Sequence, residues 1–189
     1  SGPLEAPSAE MPSRVALLKT EGWDRTEEDA KQCIENTRLN LEAAGVKVID
    51  GQSSDLINDL EKSLVGLVEL SGGLNNWDFR WPLNTYARDM DKNKLSSEAR
   101  ERLRFAEVMT HEDYQALVTK RKKLRSFYNT LNSEFDVCVT LSAPGPAPTG
   151  LDWTGDAVFA VPSSVLGTPS FSLPVFHSVS LPLGLHVMG

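Results

Sequence analysis

Residues Glu134 to Gly150, which read EFDVCVTLSAPGPAPTG, give the clearest indication of how this chain folds. Its first part, residues 135–141, is a short apolar run rich in β-branched side chains, which is typical of a buried strand. The three prolines that follow forbid regular structure and predict an extended loop. We therefore expect a sheet that contains this strand, with the rest of the chain packed around it.

The next segment, residues 155–174, reads GDAVFAVPSSVLGTPSFSLP. Its first two residues predict the start of a helix, because the Asp156 carboxylate lies near free N–H groups there. The helix is expected to run through Leu166 and to end at Gly167, a residue suited to a left-handed C-cap. Two more buried strands are predicted at residues 170–173 and 183–188.

In order, the strand, the proline-rich loop, GDAVF, PSSVLGTP, SLP and LPLGL resemble the C-terminal part of the amidase signature family. Upstream, RVALLKT at 14–20 and EAAGVKV at 42–48 are similar to that family too, so the resemblance covers nearly the whole chain. The matching positions are Phe159, Gly167, Pro169, Pro174, Pro182, Gly184 and Leu185. The sequence departs from the family's pattern at Ser163, Phe176, Ser180 and His186, where Trp, Gly, Gly and Gln are usual.

The resemblance implies that the intact protein hydrolyses a C–N amide bond of a small carboxamide. A Ser attacks the carbonyl carbon, a Lys acting through a second Ser moves the proton, and backbone N–H groups stabilise the oxyanion. The Gly/Ser-rich loop that carries those serines is missing, and Ser53–Ser54 and Ser71–Gly73 do not match it. We therefore expect no catalytic residue in this chain, which alone should be inactive. The resemblance implies no metal and no organic cofactor.

Candidate substrate-binding residues follow the strand at 135–141, because α/β sheets place ligands at the carboxyl ends of their strands. Thr149, Gly150 and Asp156 lie there in sequence, and Ser164 follows in the predicted helix. The alternatives are that Asp156 only caps its helix and that the small Ser163 and Ser164 side chains only allow tight packing.

The N-terminal half begins with a βαβ pattern. Residues 14–19 predict a buried strand, Thr26 and Asp29 predict a capping box, Gly45 is the expected C-terminal glycine of the helix, and residues 46–49 predict a parallel strand. A dinucleotide role would need a Gly-x-Gly-x-x-Gly turn, which is absent. The unit is therefore interpreted as structural.

The middle of the chain predicts helices. Apolar side chains recur on one face of residues 55–70, and Gly72–Gly73 is expected to end that helix. Residues 74–88 are interpreted as an irregular stretch whose aromatic and Arg side chains line a substrate mouth, line a subunit interface, or close the edge of the core. Residues 96–108 predict a charged helix. A helix capped by Thr110 is expected to lie on the sheet through a stripe at Tyr114, Leu117, Arg121, Leu124, Tyr128 and Leu131.

The fold class that follows is α/β: three layers, α/β/α, around a mostly parallel mixed sheet of about five strands, which the resemblance identifies as part of the amidase signature fold. Residues 1–13 are interpreted as a linker and 14–189 as the C-terminal part of an amidase signature domain. Cys33 and Cys138 are expected to be unpaired buried thiols, which favours the cytoplasm, and a single disulfide between them is the alternative.

Composition restricts the partners. The net charge of −7 argues against nucleic acid and anionic membranes, and no apolar run is long enough to span a bilayer. The expected partners are a small amide substrate and the N-terminal catalytic portion of the same protein, while a homodimer is left open. Two alternatives remain: a glutaminase-type component of an amidotransferase from the same family, and a non-catalytic interaction domain on the same scaffold.

Overall fold

The computed structural model describes residues 8–178 and 180–189. In this part the strands are β1 (Arg14–Leu17), β2 (Lys47–Asp50), β3 (Val137–Leu141), β4 (Ser170–Ser178) and β5 (Leu181–Met188). The α-helices are α1 (Glu28–Ala43), α2 (Asp55–Ser63), α3 (Leu67–Asp89), α4 (Ser97–Val108), α5 (His111–Asn132) and α6 (Val161–Leu166). The linker predicted at 1–13 lies partly outside the described residues.

The five strands form one mixed sheet in the order β2-β1-β3-β5-β4. β1 pairs in parallel with both β2 and β3, as the βαβ pattern predicts. β5 then pairs antiparallel with β3 and with β4. The α/β class and the mixed five-stranded sheet are confirmed, with parallel pairing on the β2-β1-β3 side and antiparallel pairing on the β5-β4 side.

Helices cover both faces of the sheet. Val15 and Leu17 of β1 point to one face, where they pack in a core cluster with Ala30 and Ile34 of α1. Ala16 and Leu18 point to the other face, in a cluster to which α2, α3, α5 and α6 contribute. Successive side chains of a strand alternate between faces, so both faces of β1 are buried and the arrangement has three layers.

Several local signals are confirmed. Gly45 follows α1 with φ +87°, and Gly167 ends α6 with φ +71°, so both adopt the left-handed conformation that glycine tolerates best. Thr110 and Asp113 form the reciprocal capping box at the start of α5. From the predicted stripe of α5, Leu124, Tyr128 and Leu131 are buried against the sheet. Cys33 and Cys138 are free thiols, of which Cys138 is buried and Cys33 half-buried.

The predicted capping box at the start of α1 is wrong. The N-cap residue is Glu27, without a side-chain cap hydrogen bond. The Thr26 hydroxyl donates to the carbonyl of Gly22 instead, and the Asp29 carboxylate accepts a hydrogen bond from the Ser178 hydroxyl of β4. Thr26 therefore bonds within its own turn, and only Asp29 exchanges the local cap for a tertiary contact, with the edge strand β4.

The boundaries predicted between 55 and 88 are also wrong. Gly66, at φ +79°, separates α2 from α3. Gly72 and Gly73 do not end a helix: α3 continues through them and through the stretch that was expected to be irregular. Gly73 instead lies close to α5, where a Cβ would come within 2.7 Å of Leu117 Cδ1. The glycine allows the two helices to approach each other, which sequence spacing alone does not show.

The strand predicted at 170–173 is present as part of β4, but it is not buried as predicted. β4 lies at the edge of the sheet, and Phe171, Leu173 and Val175 are exposed. The helix expected from Gly155 begins only at Val161, because residues 158–160 form a turn first. Among the described residues, no helix combines the length and the apolar character needed to cross a bilayer.

Candidate substrate crevice

The topology creates a crevice at the carboxyl ends of β1 and β3. The connection from β1 to β2 runs through α1 on one face of the sheet, whereas the connection from β2 to β3 runs through helices on the other face. The loops that leave two neighbouring strands toward opposite faces leave a gap between them, and open α/β sheets bind ligands at such switch points.

A cavity of about 940 Å³ lies at this point. The loop after β1 contributes Arg25 and Glu27, and the start of β5 contributes residues 182–184. The proline-rich loop after β3 supplies residues 143–149, and the chain at 153–157 closes the far side. The lining is largely apolar, with Trp153 exposed in it and a few charged groups, which is the usual composition of a small-molecule site.

We call this cavity the crevice. Two of the charged groups that line it form an ion pair. The Arg25 guanidinium Nη1 lies 2.9 Å from Oδ2 of Asp156, and Oδ1 of Asp156 accepts a hydrogen bond of 2.9 Å from the backbone N–H of Val158. The pair ties the loop after β1 to the loop before α6. It thereby fixes the distance between the two sides of the crevice.

The structure separates the four predicted substrate-binding residues. Thr149 and Asp156 line the crevice, and Gly150 follows Thr149 in the same loop with φ +94° but is not part of the lining. Ser164 lies in another depression, of about 320 Å³, beside Asn75 and Arg121 of α3 and α5. Asp156 does not cap a helix, because α6 begins five residues later. Whether any of the four contacts a substrate stays a prediction.

A polar pair is buried beside the sheet where α6 packs on β5. Nε2 of His186 lies 3.2 Å from the Ser163 hydroxyl, which donates its proton to the carbonyl of Ala160. The Ser163 oxygen must therefore accept a hydrogen bond from the Nε2–H group, which leaves the lone pair of the neutral imidazole on Nδ1. Burial lowers the pKa of His186. With its hydroxyl proton directed to a carbonyl, Ser163 is not arranged as a nucleophile.

Hydroxyl groups continue along this face of the sheet. The Ser142 and Ser172 hydroxyls lie 2.6 Å apart above Gly184, where a Cβ would come within 2.6 Å of the Ser142 hydroxyl. Gly184, one of the positions that match the family pattern, thus leaves the space that this hydroxyl pair occupies.

Sequence reasoning missed Arg25 and Glu27. Both lie in the segment after β1, and only the pairing of β1 with β3 brings them to the proline-rich loop. The signal that was available is the rule that parallel strands place their functional loops at one edge of the sheet. Within the described residues, no group of three His, Cys, Asp or Glu side chains is arranged to hold a metal ion.

Comparison with known proteins identifies the family to which this chain belongs. The family model described as Amidase matches residues 4–189, so the chain belongs to the amidase family. Over 120 residues it is 32% identical to a fatty acid amide hydrolase of Medicago truncatula, an alignment that covers 57% of this chain and 20% of that protein. Over 85 residues it is 35% identical to a subunit of the glutamyl-tRNA(Gln) amidotransferase of Chlorobium chlorochromatii, covering 40% of this chain and 18% of that one.

Solved structures show the same fold. A crystal structure of an amidase superposes with a TM-score of 0.79 at 20% identity, covering 97% of this chain and 43% of that one. The structure of 6-aminohexanoate cyclic dimer hydrolase with its substrate superposes with a TM-score of 0.73 at 13% identity, over 96% of this chain and 42% of that one. The chain therefore spans less than half the length of these relatives.

Proposed function

We propose that this chain is part of an amidase that hydrolyses the C–N bond of a small carboxamide. The nucleophilic Ser, the second Ser and the Lys lie in the rest of the protein, and this part supplies a portion of the core and one wall of the substrate pocket. The observation that carries the proposal is the crevice between β1 and β3, which lies at a ligand-binding position of an amidase-family fold.

In this proposal Thr149 and Asp156 face the substrate. A Thr hydroxyl both donates and accepts hydrogen bonds, so Thr149 can bond either the carbonyl oxygen or the NH2 group of a carboxamide. Asp156 keeps its ion pair with Arg25 and holds the opposite side of the crevice in place. Gly150 shapes the loop through its left-handed backbone. Ser164 lines the separate depression beside α3 and α5, so it would meet only the part of a substrate that extends beyond the crevice.

The catalytic portion of the same protein is proposed to pack on the β4 edge. A strand at the edge of a sheet leaves backbone N–H and C=O groups unpaired on one side, and proteins seldom leave such an edge long and apolar. Here β4 spans nine residues and exposes Phe171, Leu173 and Val175. The relatives contain more than half of their length beyond the matched region, which is enough chain to cover this edge.

The experiment compares the native gene product with the isolated 189-residue chain on a panel of aryl and aliphatic amides. We expect the native product to be longer than this chain and to release ammonia or amine, and we expect the isolated chain to be inactive. A native product without amidase activity would contradict the proposal and favour a non-catalytic interaction domain. Activity of the isolated chain would contradict the placement of the nucleophile.

A second candidate function is a glutaminase component of an amidotransferase. Two relatives are described as subunits of glutamyl-tRNA(Gln) amidotransferases, and this supports it. Such a component would release ammonia from glutamine only together with its partner proteins. Purification of the native product under mild conditions, followed by a glutaminase assay with and without the proteins that copurify, separates it from a free-standing amidase. We further propose a reducing compartment such as the cytoplasm, which the two free thiols support.

A further inference from the structure

The charges around the crevice are unbalanced. Its lining contains one cation, Arg25, and two carboxylates, Glu27 and Asp156. Arg25 and Asp156 neutralise each other through their ion pair. Within residues 8–178 and 180–189, Glu27 takes part in no ion pair. One carboxylate therefore remains in an otherwise largely apolar cavity.

The backbone of Glu27 is bonded to the proline-rich loop. Its backbone N–H donates a hydrogen bond of 2.9 Å to the carbonyl of Pro144. Its carboxylate lies against the next residue, since a Cβ on Gly145 would come within 2.7 Å of Glu27 Cδ. Glycine thus leaves room for the carboxylate, which is exposed and lies beside the loop that forms the crevice.

Helix capping does not account for this side chain. Glu27 is the N-cap residue of α1, but its side chain makes no cap hydrogen bond to the first turn. The next residue, Glu28, behaves differently: its carboxylate lies 3.3 Å from Lys31 Nζ and outside the crevice lining. The two neighbouring glutamates therefore have different environments, although the sequence makes them look alike.

We propose that the carboxylate of Glu27 selects amide substrates that carry a positively charged group, such as a primary ammonium, at the end of an apolar acyl chain. The inference rests on the proposed amidase function and names the substrate class of that same crevice. The apolar lining takes up the methylene groups, and the ammonium group supplies the counter-charge for Glu27. The effect is on binding, because Glu27 contacts the loop and not the reacting bond.

The test uses the native gene product and two substrates of equal length, 5-aminopentanamide and hexanamide, which differ by an ammonium group in place of a methyl group. The unmodified protein is expected to prefer 5-aminopentanamide, mainly through a lower KM. In Glu27→Gln, the ratio of the two kcat/KM values should fall about 2- to 5-fold, as expected for one exposed charge contact. Glu28→Gln is the matched control and should keep the ratio. High salt should weaken the preference in the unmodified protein.

Several outcomes would overturn this inference while leaving the amidase proposal intact. These are equal use of both amides, a preference for hexanamide, or the same loss of preference in Glu28→Gln. Isothermal titration calorimetry with the same two compounds gives a readout that does not depend on turnover. If neither these two amides nor any amide of the panel is hydrolysed, but 5-aminopentanamide still binds more tightly than hexanamide and loses this advantage in Glu27→Gln, the cation site at Glu27 stands and the amidase proposal fails. Equal binding of both compounds refutes cation selection.

Discussion

Two adjacent glycines inside α3 give a test of how this part of the fold is packed. Gly72 and Gly73 both lie in the interior of the helix, where replacing Gly by Ala stabilises a helix by about 1 kcal/mol. A Cβ on Gly72 would meet nothing within 4 Å, whereas a Cβ on Gly73 would lie 2.7 Å from Leu117 Cδ1. Gly72→Ala should therefore raise the free energy of unfolding by about 1 kcal/mol.

For Gly73→Ala the same gain is opposed by overpacking against α5, which costs about 1–3 kcal/mol. The net change should lie between about 0 and −2 kcal/mol, so the two variants should differ by about 1–3 kcal/mol. Urea unfolding of the native gene product, followed by circular dichroism, measures both values. Leu117→Ala removes the terminal methyl groups, and in the Gly73→Ala background it should show a favourable coupling of about 1 kcal/mol. Equal stability of the two alanine variants, or an additive double variant, would refute the close packing of α3 on α5.

The remaining predictions concern three other sites. Burial lowers the pKa of His186, so as the pH falls below about 6.5 the unfolded chain takes up a proton at this residue and the folded chain does not. The free energy of unfolding should therefore fall there by up to about 1.4 kcal/mol per pH unit. In urea titrations at pH 7.5 and 5.5, the free energy of unfolding of His186→Gln should fall less than that of the unmodified protein. Burial raises the pKa of Cys138 to about 11, so iodoacetamide at pH 8 should label Cys33 in the folded protein and Cys138 only after unfolding. Mass spectrometry would contradict this if it found that, in the folded protein, Cys138 is labelled as fast as Cys33. Ser180 adopts a left-handed backbone, φ +69°, so Ser180→Gly should raise stability by about 1 kcal/mol in thermal melts, and a lower stability would count against that conformation.

Some features were readable from the sequence because their causes are local. The capping box of Thr110 and Asp113, the left-handed Gly45 and Gly167, and the β-branched run of β3 each depend on residues within one turn or one strand. The motifs from the proline-rich loop to β5 indicated the family, which the match to the amidase family model confirms. The rule that α/β sheets place ligands at the carboxyl ends of their strands pointed to Thr149 and Asp156 after β3, and both lie in the crevice lining.

Other features depend on which elements become neighbours in three dimensions. Gly73 reads as a helix end in the sequence, yet it lies inside α3 because α5 packs against it at that point. Phe171 and Leu173 have the apolar character of a buried strand, but the sheet order leaves β4 at the edge. An apolar run indicates that a strand tends to be buried, but it does not indicate which part of the protein buries it. The position of β4 at the edge of the sheet therefore depends on the tertiary structure.

The crevice likewise combines features with local causes and features that depend on three-dimensional neighbours. The proline-rich loop, the parallel strands and the family could be read from the residues alone, because they follow from local preferences and short motifs. The ion pair of Arg25 with Asp156, and the contact of Glu27 rather than Glu28 with Gly145, arise only in the folded chain. These contacts join residues more than 100 positions apart in the chain. They exist because β1 lies beside β3, and no pattern within either segment encodes that pairing.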